Sequence, residues 1–345
     1  MSYQIGIDAL NLRPTPRLAH TEYCDHDPLK RAVTGIDKPA LEREQLFMER
    51  WEYDFIWSTD DGCEPWETRG RTTDMGHAEF MEGGVDYREP KVSPFRNLDE
   101  VLAFDAVAEY GFTDMAKLVA YYEGNYQYAR RVFPEQVFTG GYYRTLISGG
   151  IAALGWDWLL EAAAYPEPFT RVIDSIYRQT MHHVQAWAQT SCEWFMTHDD
   201  MVWTQGAFMR PDYYRTEIFP RYQALWKVLH DAGKKVVFTS DGDYTEFADD
   251  IVAAGADALC FEPMMPLEPM VERYGQTHAL LASMVDARTL TFGTHQQIQA
   301  EIDATLPLAK RCKGFIWAVG NHLPANIPVD NALFYMDYLR RHWQR

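Results

Sequence analysis

The chain has 345 residues, 47% of them hydrophobic and 24% charged, so it can close a sizeable core, and a disordered tail, a collagen-like rod or a disulfide-stapled mini-protein is excluded. Fifty acidic against 32 basic side chains leave a formal net charge of −18, which argues against nucleic acid and against anionic membrane surfaces, because both attract basic patches. The first twenty residues lack a basic segment followed by an apolar one, and nowhere do about 18 apolar residues run without a charge, so a cytoplasmic protein is expected.

Up to about residue 130 the chain is irregular, punctuated by Pro14, Pro16, Pro28, Pro39, Pro65, Pro90 and Pro94, with turn chemistry at Thr59-Asp60-Asp61-Gly62. His20, Glu22, Cys24 and His26 fall at every second position, which would set four metal-ligand types on one side of a strand, though short clusters of this kind also arise by coincidence. Helical spacing covers 40–51 and 98–122, and the apolar run Tyr53-Asp54-Phe55-Ile56-Trp57 reads as a buried strand between them. From about 135 the pattern changes. Short apolar runs at 136–140, 194–198, 235–239, 258–261, 280–285 and 314–319 alternate with helical patterns at 145–163, 169–190, 211–232, 243–254, 266–274, 294–309 and 328–343. This is the signature of repeated βα units and a mostly parallel sheet. With the run at 53–57 and one further strand hidden in 64–95, the strands would number eight. The economical expectation is one (β/α)8 TIM barrel over 1–345, with an irregular N-terminal extension over 1–100 and the main βα repeats over 100–345. A doubly wound open sheet competes, but no GxGxxG and no GxxxxGK(S/T) follows any strand, so its nucleotide-binding versions lose support. Five cysteines, Cys24, Cys63, Cys192, Cys260 and Cys312, show no CxxC pair and no regular spacing, as expected of reduced, packed thiols.

In a βα barrel, chemistry sits at the carboxyl ends of the strands. The run at 194–198 leads into Asp199 and Asp200, that at 235–239 into Ser240, Asp241, Gly242 and Asp243, and those that follow end at Glu262, Asp286 and Gly320-Asn321-His322. One rim would thus carry the carboxylates and imidazole that a metal or an acid/base pair needs. Asp and Asn at such places equally cap the next helix or make Asx turns. Glu262 is harder to explain that way, because Glu is a poor N-cap and Pro263 follows it. His322 is the best-placed of the imidazoles weighed, against His182, His183, His230 and His342.

Taken in order, Thr197-His198-Asp199-Asp200, Pro211-Asp212-Tyr213-Tyr214-Arg215 with Pro220, Val236-Val237-Phe238-Thr239-Ser240-Asp241-Gly242, AAGADALCFEPM at 253–264, Met284-Val285-Asp286 and GNHLPANIPVDN at 320–331 form a series. This series resembles the uroporphyrinogen decarboxylase superfamily over roughly residues 100–340. The resemblance implies a (β/α)8 barrel and one of two chemistries: cofactor-free decarboxylation of a tetrapyrrole, or methyl transfer to or from the cobalt of a corrinoid protein with zinc as Lewis acid. The arginine-rich N-terminal stretch of the decarboxylases is represented only by Arg13 and Arg17, and an acidic chain suits a many-armed acidic substrate poorly. The His-x-Cys and Cys zinc ligands of methanol- and methylamine-type methyltransferases are replaced by Thr239, Asp241 and Asn321. Oxygen and nitrogen donors remain on the rim, and Asp241, Glu262 and His322 are the expected zinc ligands, by position and not by motif.

The leading expectation is therefore the substrate-specific methyltransferase of a corrinoid-dependent system, with an aryl methyl ether as small-molecule methyl donor and cobalamin carried on a separate corrinoid protein. Asp199, Asp200 and Asp241 are the expected catalytic acids or orienting groups, and Tyr142, Tyr143, Trp203, Asp286 and Asn321 the expected substrate contacts. Two alternatives stay open: a metal-free lyase of decarboxylase type, and a non-catalytic barrel binding a small aromatic or tetrapyrrole.

Overall fold

The computed structural model describes residues 2–75 and 93–345 and, between them, the backbone of two short strands, Glu79–Phe80 and Asp86–Tyr87. Around the barrel axis run β1 (Ala19–His20), β2 (Phe55–Ile56), β3 (Val137–Phe138 continued by Gly140–Tyr142), β4 (Trp194–His198), β5 (Lys235–Thr239), β6 (Ala258–Phe261), β7 (Ala279–Val285) and β8 (Phe315–Val319). One parallel ladder links β1, β8, β7, β6, β5, β4 and the second half of β3 in that order. β2 pairs in parallel with the first half of β3. The ring meets itself between β1 and β2, where Asp54 N–H donates to His20 O at 2.9 Å and the Thr21 hydroxyl donates to Phe55 O at 2.8 Å. This is the expected βα barrel, and not the open doubly wound sheet.

The six runs read beyond residue 135 fold as strands within a residue or two of their expected limits, and the run at 53–57 supplies β2. The remaining strand is β1, inside the proline-rich beginning of the chain, so the first hundred residues contribute two barrel strands. Part of the span 64–95, where one strand is expected, lies outside the described residues; within it Glu79–Phe80 and Asp86–Tyr87 pair with each other, antiparallel. The helical pattern of 98–122 divides into Leu98–Leu102, Ala106–Tyr110 and Met115–Val132, because the carboxylates of Asp105 and Asp114 each cap a new start.

Two cores follow from strand alternation. Inward residues such as Phe55, Val137, Met196, Val237, Ala258 and Leu281 fill the barrel, and their lower end is plugged by Ile7, Ala9 and Leu10 of α1 (Ser2–Leu10). α1 lies so close that a Cβ on Gly6 would stand 2.3 Å from Asp54 O, so glycine is required there. Outward residues such as Phe195, Phe238, Leu259, Leu280 and Trp317 pack under the surrounding helices, which include α2 (Leu146–Leu154), α3 (Pro166–Ala188), α4 (Phe219–Asp231), α5 (His295–Arg311) and α6 (Val329–His342).

The alternating quartet at 20–26 does not share one strand face. His20 and Glu22 are buried beside each other, with Nε2 and Oε1 3.1 Å apart, and Glu22 accepts from Val319 N–H and Tyr335 OH. Cys24 belongs to a separate two-stranded pair, Cys24–Asp25 with Leu323–Pro324. His26 caps the helix Asp27–Thr34 by accepting from Leu29 N–H. Among the described residues, no helix is long and apolar enough to cross a membrane.

Candidate active site

Alternation that buries Trp194 and Met196 inside the barrel carries on up β4, so His198 and then Asp200 point into the mouth. By the same parity Val237 on β5 leads through Thr239 to Asp241, and Ala258 and Cys260 on β6 lead to Glu262. Among the described residues, one group of three metal-ligating types converges: His198, Asp200 and Asp241 have ligand atoms within 4.8 Å of one another. His198 Nε2 lies 3.1 Å from Asp200 Oδ1, and that oxygen also accepts from Asp241 N–H at 3.3 Å. Tyr143 OH donates to Asp200 Oδ2 at 2.8 Å, and its ring stacks on His198 with centroids 4.1 Å apart. Trp57, just past β2, makes a T-shaped contact with His198, centroids 5.7 Å apart.

A second tier flanks this group. Asn321 Nδ2 donates to Asp241 Oδ2 at 3.2 Å, its backbone in the left-handed region at φ 63°. Glu262 Oε2 accepts from Gly242 N–H at 3.0 Å. Gly242 has a φ of 81°, and a Cβ there would sit 2.5 Å from Trp203 O, so only glycine lets the turn after Asp241 close onto Glu262.

Too many acids share this mouth for all to ionise easily. Burial, then the charges of Asp200 and Glu262, push the Asp241 carboxyl up to about 8. Burial raises Glu262 as well, against the hydrogen bonds from Gly242 and Asn321. For Asp200 burial is outweighed by the His198 charge and by donors from His198, Tyr143 and Asp241 N–H, so its carboxylate is held below the ordinary range. Burial works against the His198 imidazolium, yet Asp200 holds that ring above its usual value. A site with one imidazole and surplus carboxylates attracts a cation or retains a proton.

The residues read from the sequence separate accordingly. Asp200, Asp241, Tyr143 and Asn321 meet at the mouth, with Glu262 beside them. Asp199 faces outward: its carboxylate accepts from the N–H groups of Leu146, Ile147 and Ser148 and from Tyr222 OH, so it caps α2 and is turned away from any substrate. Tyr142 also points outward and stacks on His183 at 4.4 Å beneath α3, one residue out of phase with Tyr143. Asp286 caps the helix Ala287–Phe292 through Arg288 N–H, near enough for its charge to act on Glu262. Trp203 is half exposed among Trp156 and Phe208 on the loop beyond β4. Of the expected zinc ligands, Asp241 lies in the converging group; Glu262 and His322 do not, and His322 Nδ1 faces Asn321 Oδ1 at 2.5 Å. His198 and Trp57 join the site without being among the expected site residues, although counting by twos from the apolar residues of β4 and β2 places both indoors.

The sequence profile of uroporphyrinogen decarboxylase (URO-D) matches residues 145–342, more than half of the chain. The chain belongs to the uroporphyrinogen decarboxylase family. The matched span carries β4 to β8 and every member of the converging group. No curated protein matches the sequence. Among solved structures, a methyltransferase from Methanosarcina mazei is 15% identical, with a TM-score of 0.64 over 99% of this chain and 98% of that one, which establishes a shared fold. More remote matches are a B12-independent methionine synthase from Shewanella sp. W3-18-1 (7% identical, TM-score 0.40, 64% of this chain and 67% of that one) and a D-psicose 3-epimerase from Clostridium cellulolyticum (9%, 0.40, 72% and 93%).

Proposed function

We propose that this family member is a methyltransferase that moves a methyl group from a methoxylated aromatic to the cobalt of a separate corrinoid protein, with a divalent metal, zinc by its donor set, held by His198, Asp200 and Asp241. The observation that carries the reading is the convergence of those three side chains at the barrel mouth. The residues fit the group: an imidazole and two carboxylates are accepted zinc donors, and three protein ligands leave a position open. The donor set replaces Asp241, Glu262 and His322, keeping only Asp241. Bound there, zinc would supply Lewis-acid polarisation of the substrate's ether oxygen.

The chain's own residues do the rest. Transfer of the methyl group leaves the aryl oxygen with the bonding electron pair, and that oxygen needs positive charge or a proton nearby. Glu262, raised by burial, is the acid adjoining the group that can hand over a proton. Tyr143 and Trp57 both pack on the His198 ring and offer aromatic edges and faces to a flat substrate. Asn321 holds Asp241 through its Oδ2.

The test is metal content after dialysis, combined with phenol release from methoxybenzoates in the presence of a purified, reduced corrinoid protein. Wild type should retain about one zinc per chain, and His198→Ala and Asp241→Ala should lose both metal and turnover. Carbon dioxide release from a carboxylated substrate, with no zinc and no demethylation, would assign the lyase reading instead. It has one observation in its favour, the proton that Asp241 retains up to about pH 8.

A further inference from the structure

Two members of the converging group, His198 and Asp200, lie on one short segment that is just leaving its sheet. Pairing of β4 with β3 reaches Thr197 and pairing with β5 reaches His198, where Asp199 N–H donates across to Thr239 O at 2.9 Å. Met201 N–H then turns back to Asp199 O at 2.8 Å, so the chain bends tightly around Asp200. Buried backbone groups beyond a ladder need other partners, and here hydroxyls supply them. The Thr145 hydroxyl donates to His198 O at 2.6 Å. Ser148 Oγ accepts from Asp200 N–H at 2.8 Å. Ser240 Oγ accepts from Met201 N–H at 3.3 Å and donates to Asp241 O at 2.8 Å, and Tyr214 OH donates to Met201 O at 2.6 Å.

All four residues are buried, and they arrive from separate parts of the barrel: Thr145 and Ser148 from the start of α2, Ser240 from the end of β5, and Tyr214 from a π turn, Tyr214–Ile218, ahead of α4. Thr145 occupies the N-cap position of α2, yet its side chain makes no capping bond to that helix; it is spent on β4 instead. Single π turns recur at functional sites, and this one brings Tyr214 OH onto the Met201 carbonyl. Ser240 has the widest reach, because one hydroxyl joins the peptide after Asp200 to the peptide of Asp241 and so spans both carboxylates of the group. We infer that Thr145, Ser148 and Ser240 are positioning residues, whose hydroxyls fix the backbone of His198, Asp200 and Asp241 and thereby set the spacing at which those side chains offer their donor atoms to a metal. The inference rests on the proposed metal site. A ligand set tolerates only about 0.5 Å or 10–20° of misplacement, and the peptides on either side of a residue fix where its side chain points.

Ser148→Ala, Ser240→Ala and Thr145→Val test it, each compared with the wild-type chain by chelator competition for zinc and by the visible absorption of the cobalt(II)-loaded protein, whose bands report ligand geometry. Each variant should hold zinc about 10- to 100-fold less tightly and show altered cobalt bands, whereas Thr145→Ser, which keeps the hydroxyl, should match the wild type in both. Ser175→Ala is the structural control. Ser175 lies on α3, equally buried, and accepts from Ala106 N–H at 2.9 Å, so its loss should lower the thermal midpoint as the others do while leaving zinc affinity and cobalt spectrum unchanged. Wild-type affinity and spectrum in Ser148→Ala and Ser240→Ala would overturn the inference and leave the metal site standing. A loss of affinity in Ser175→Ala as large as theirs would also overturn it, by reducing the effect to general destabilisation. A wild-type chain that takes up neither zinc nor cobalt would overturn the metal site itself and the inference with it.

Discussion

An imidazole and a carboxylate 3.1 Å apart favour each other's charge, and further carboxylates at the same mouth undo part of that gain; the pair His198 and Asp200, with Asp241 and Glu262 close by, is balanced in this way. Tyr143 tips the balance through one hydrogen bond. Tyr143→Phe keeps the ring over His198 and removes only the donor to Asp200 Oδ2. Loss of such an outer partner typically costs about 10- to 100-fold in metal affinity, so chelator competition should show zinc held at least about tenfold less tightly. An unchanged affinity would confine Tyr143 to packing. Away from the site, burial pushes His183 down to about 3, where its Nδ1 lies 2.6 Å from Tyr122 OH. Between about pH 6.5 and 3 the unfolded chain binds a proton there that the folded chain refuses, so this residue makes stability fall as the solution is acidified. The slope approaches about 1.4 kcal/mol per pH unit inside that window. Several buried acids are shifted upward and act in the opposite sense, so the comparison must be between variants. Thermal midpoints from pH 7 to 5 should fall less steeply in His183→Gln, and parallel curves would discount the residue.

At the level of the strand, one residue of phase separates a site residue from a structural one. Asp199 and Asp200 are neighbours on the same rim, yet Asp199 receives three N–H groups from the first turn of α2 and the hydroxyl of Tyr222. Asp199→Ala would strand those donors and is expected to cost about 2–4 kcal/mol, read from the urea midpoint. Because β4 is anchored to α2 through this residue, Asp200 should also lose its register with His198. A variant of wild-type stability would show that water replaces the cap. The same phase explains what was legible in the sequence. Runs such as 194–198, 235–239 and 258–261 became strands with those limits because each is a short, mostly apolar segment, such as Trp194-Phe195-Met196, Val236-Val237-Phe238 and Ala258-Leu259-Cys260-Phe261, between helical stretches. The rim acids followed from the strand ends. Which acid turns inward does not follow from them, since it depends on counting by twos from residues whose own direction emerges only on packing; Tyr142 and Tyr143, and Asp199 and Asp200, differ by that one residue of phase, which also turns His198 indoors. β1 was invisible for another reason. A strand of two residues, Ala19 and His20, carries no periodicity of its own and exists only because β8 templates one edge of it.

Closing the whole barrel therefore falls to side chains where the backbone ladder is shortest. Asp54, just before β2 and fully buried, gathers the Arg17 guanidinium through two bonds of 2.6 and 2.9 Å, the His20 N–H at 2.9 Å and the Ser2 hydroxyl at 2.5 Å. One carboxylate thus ties α1, the approach to β1, β1 itself and β2 into a single joint, at the edge where β1 and β2 share little backbone pairing. Arg17 is further stacked on Trp343, 4.4 Å from the ring, which draws the end of α6 into the same joint. Removing one partner of a buried ion pair leaves the other uncompensated and costs about 3–5 kcal/mol, more than the pair's net contribution. Asp54→Ala should accordingly lower the urea midpoint steeply, whereas Arg17→Met with Asp54→Ala should recover a good part of the loss, because methionine keeps the contact with Trp343 and no charge is stranded. If the two variants are equally unstable, the bonds from Asp54 to His20 N–H and Ser2, and not the charge, hold the seam. If neither is destabilised, the helices alone close the barrel.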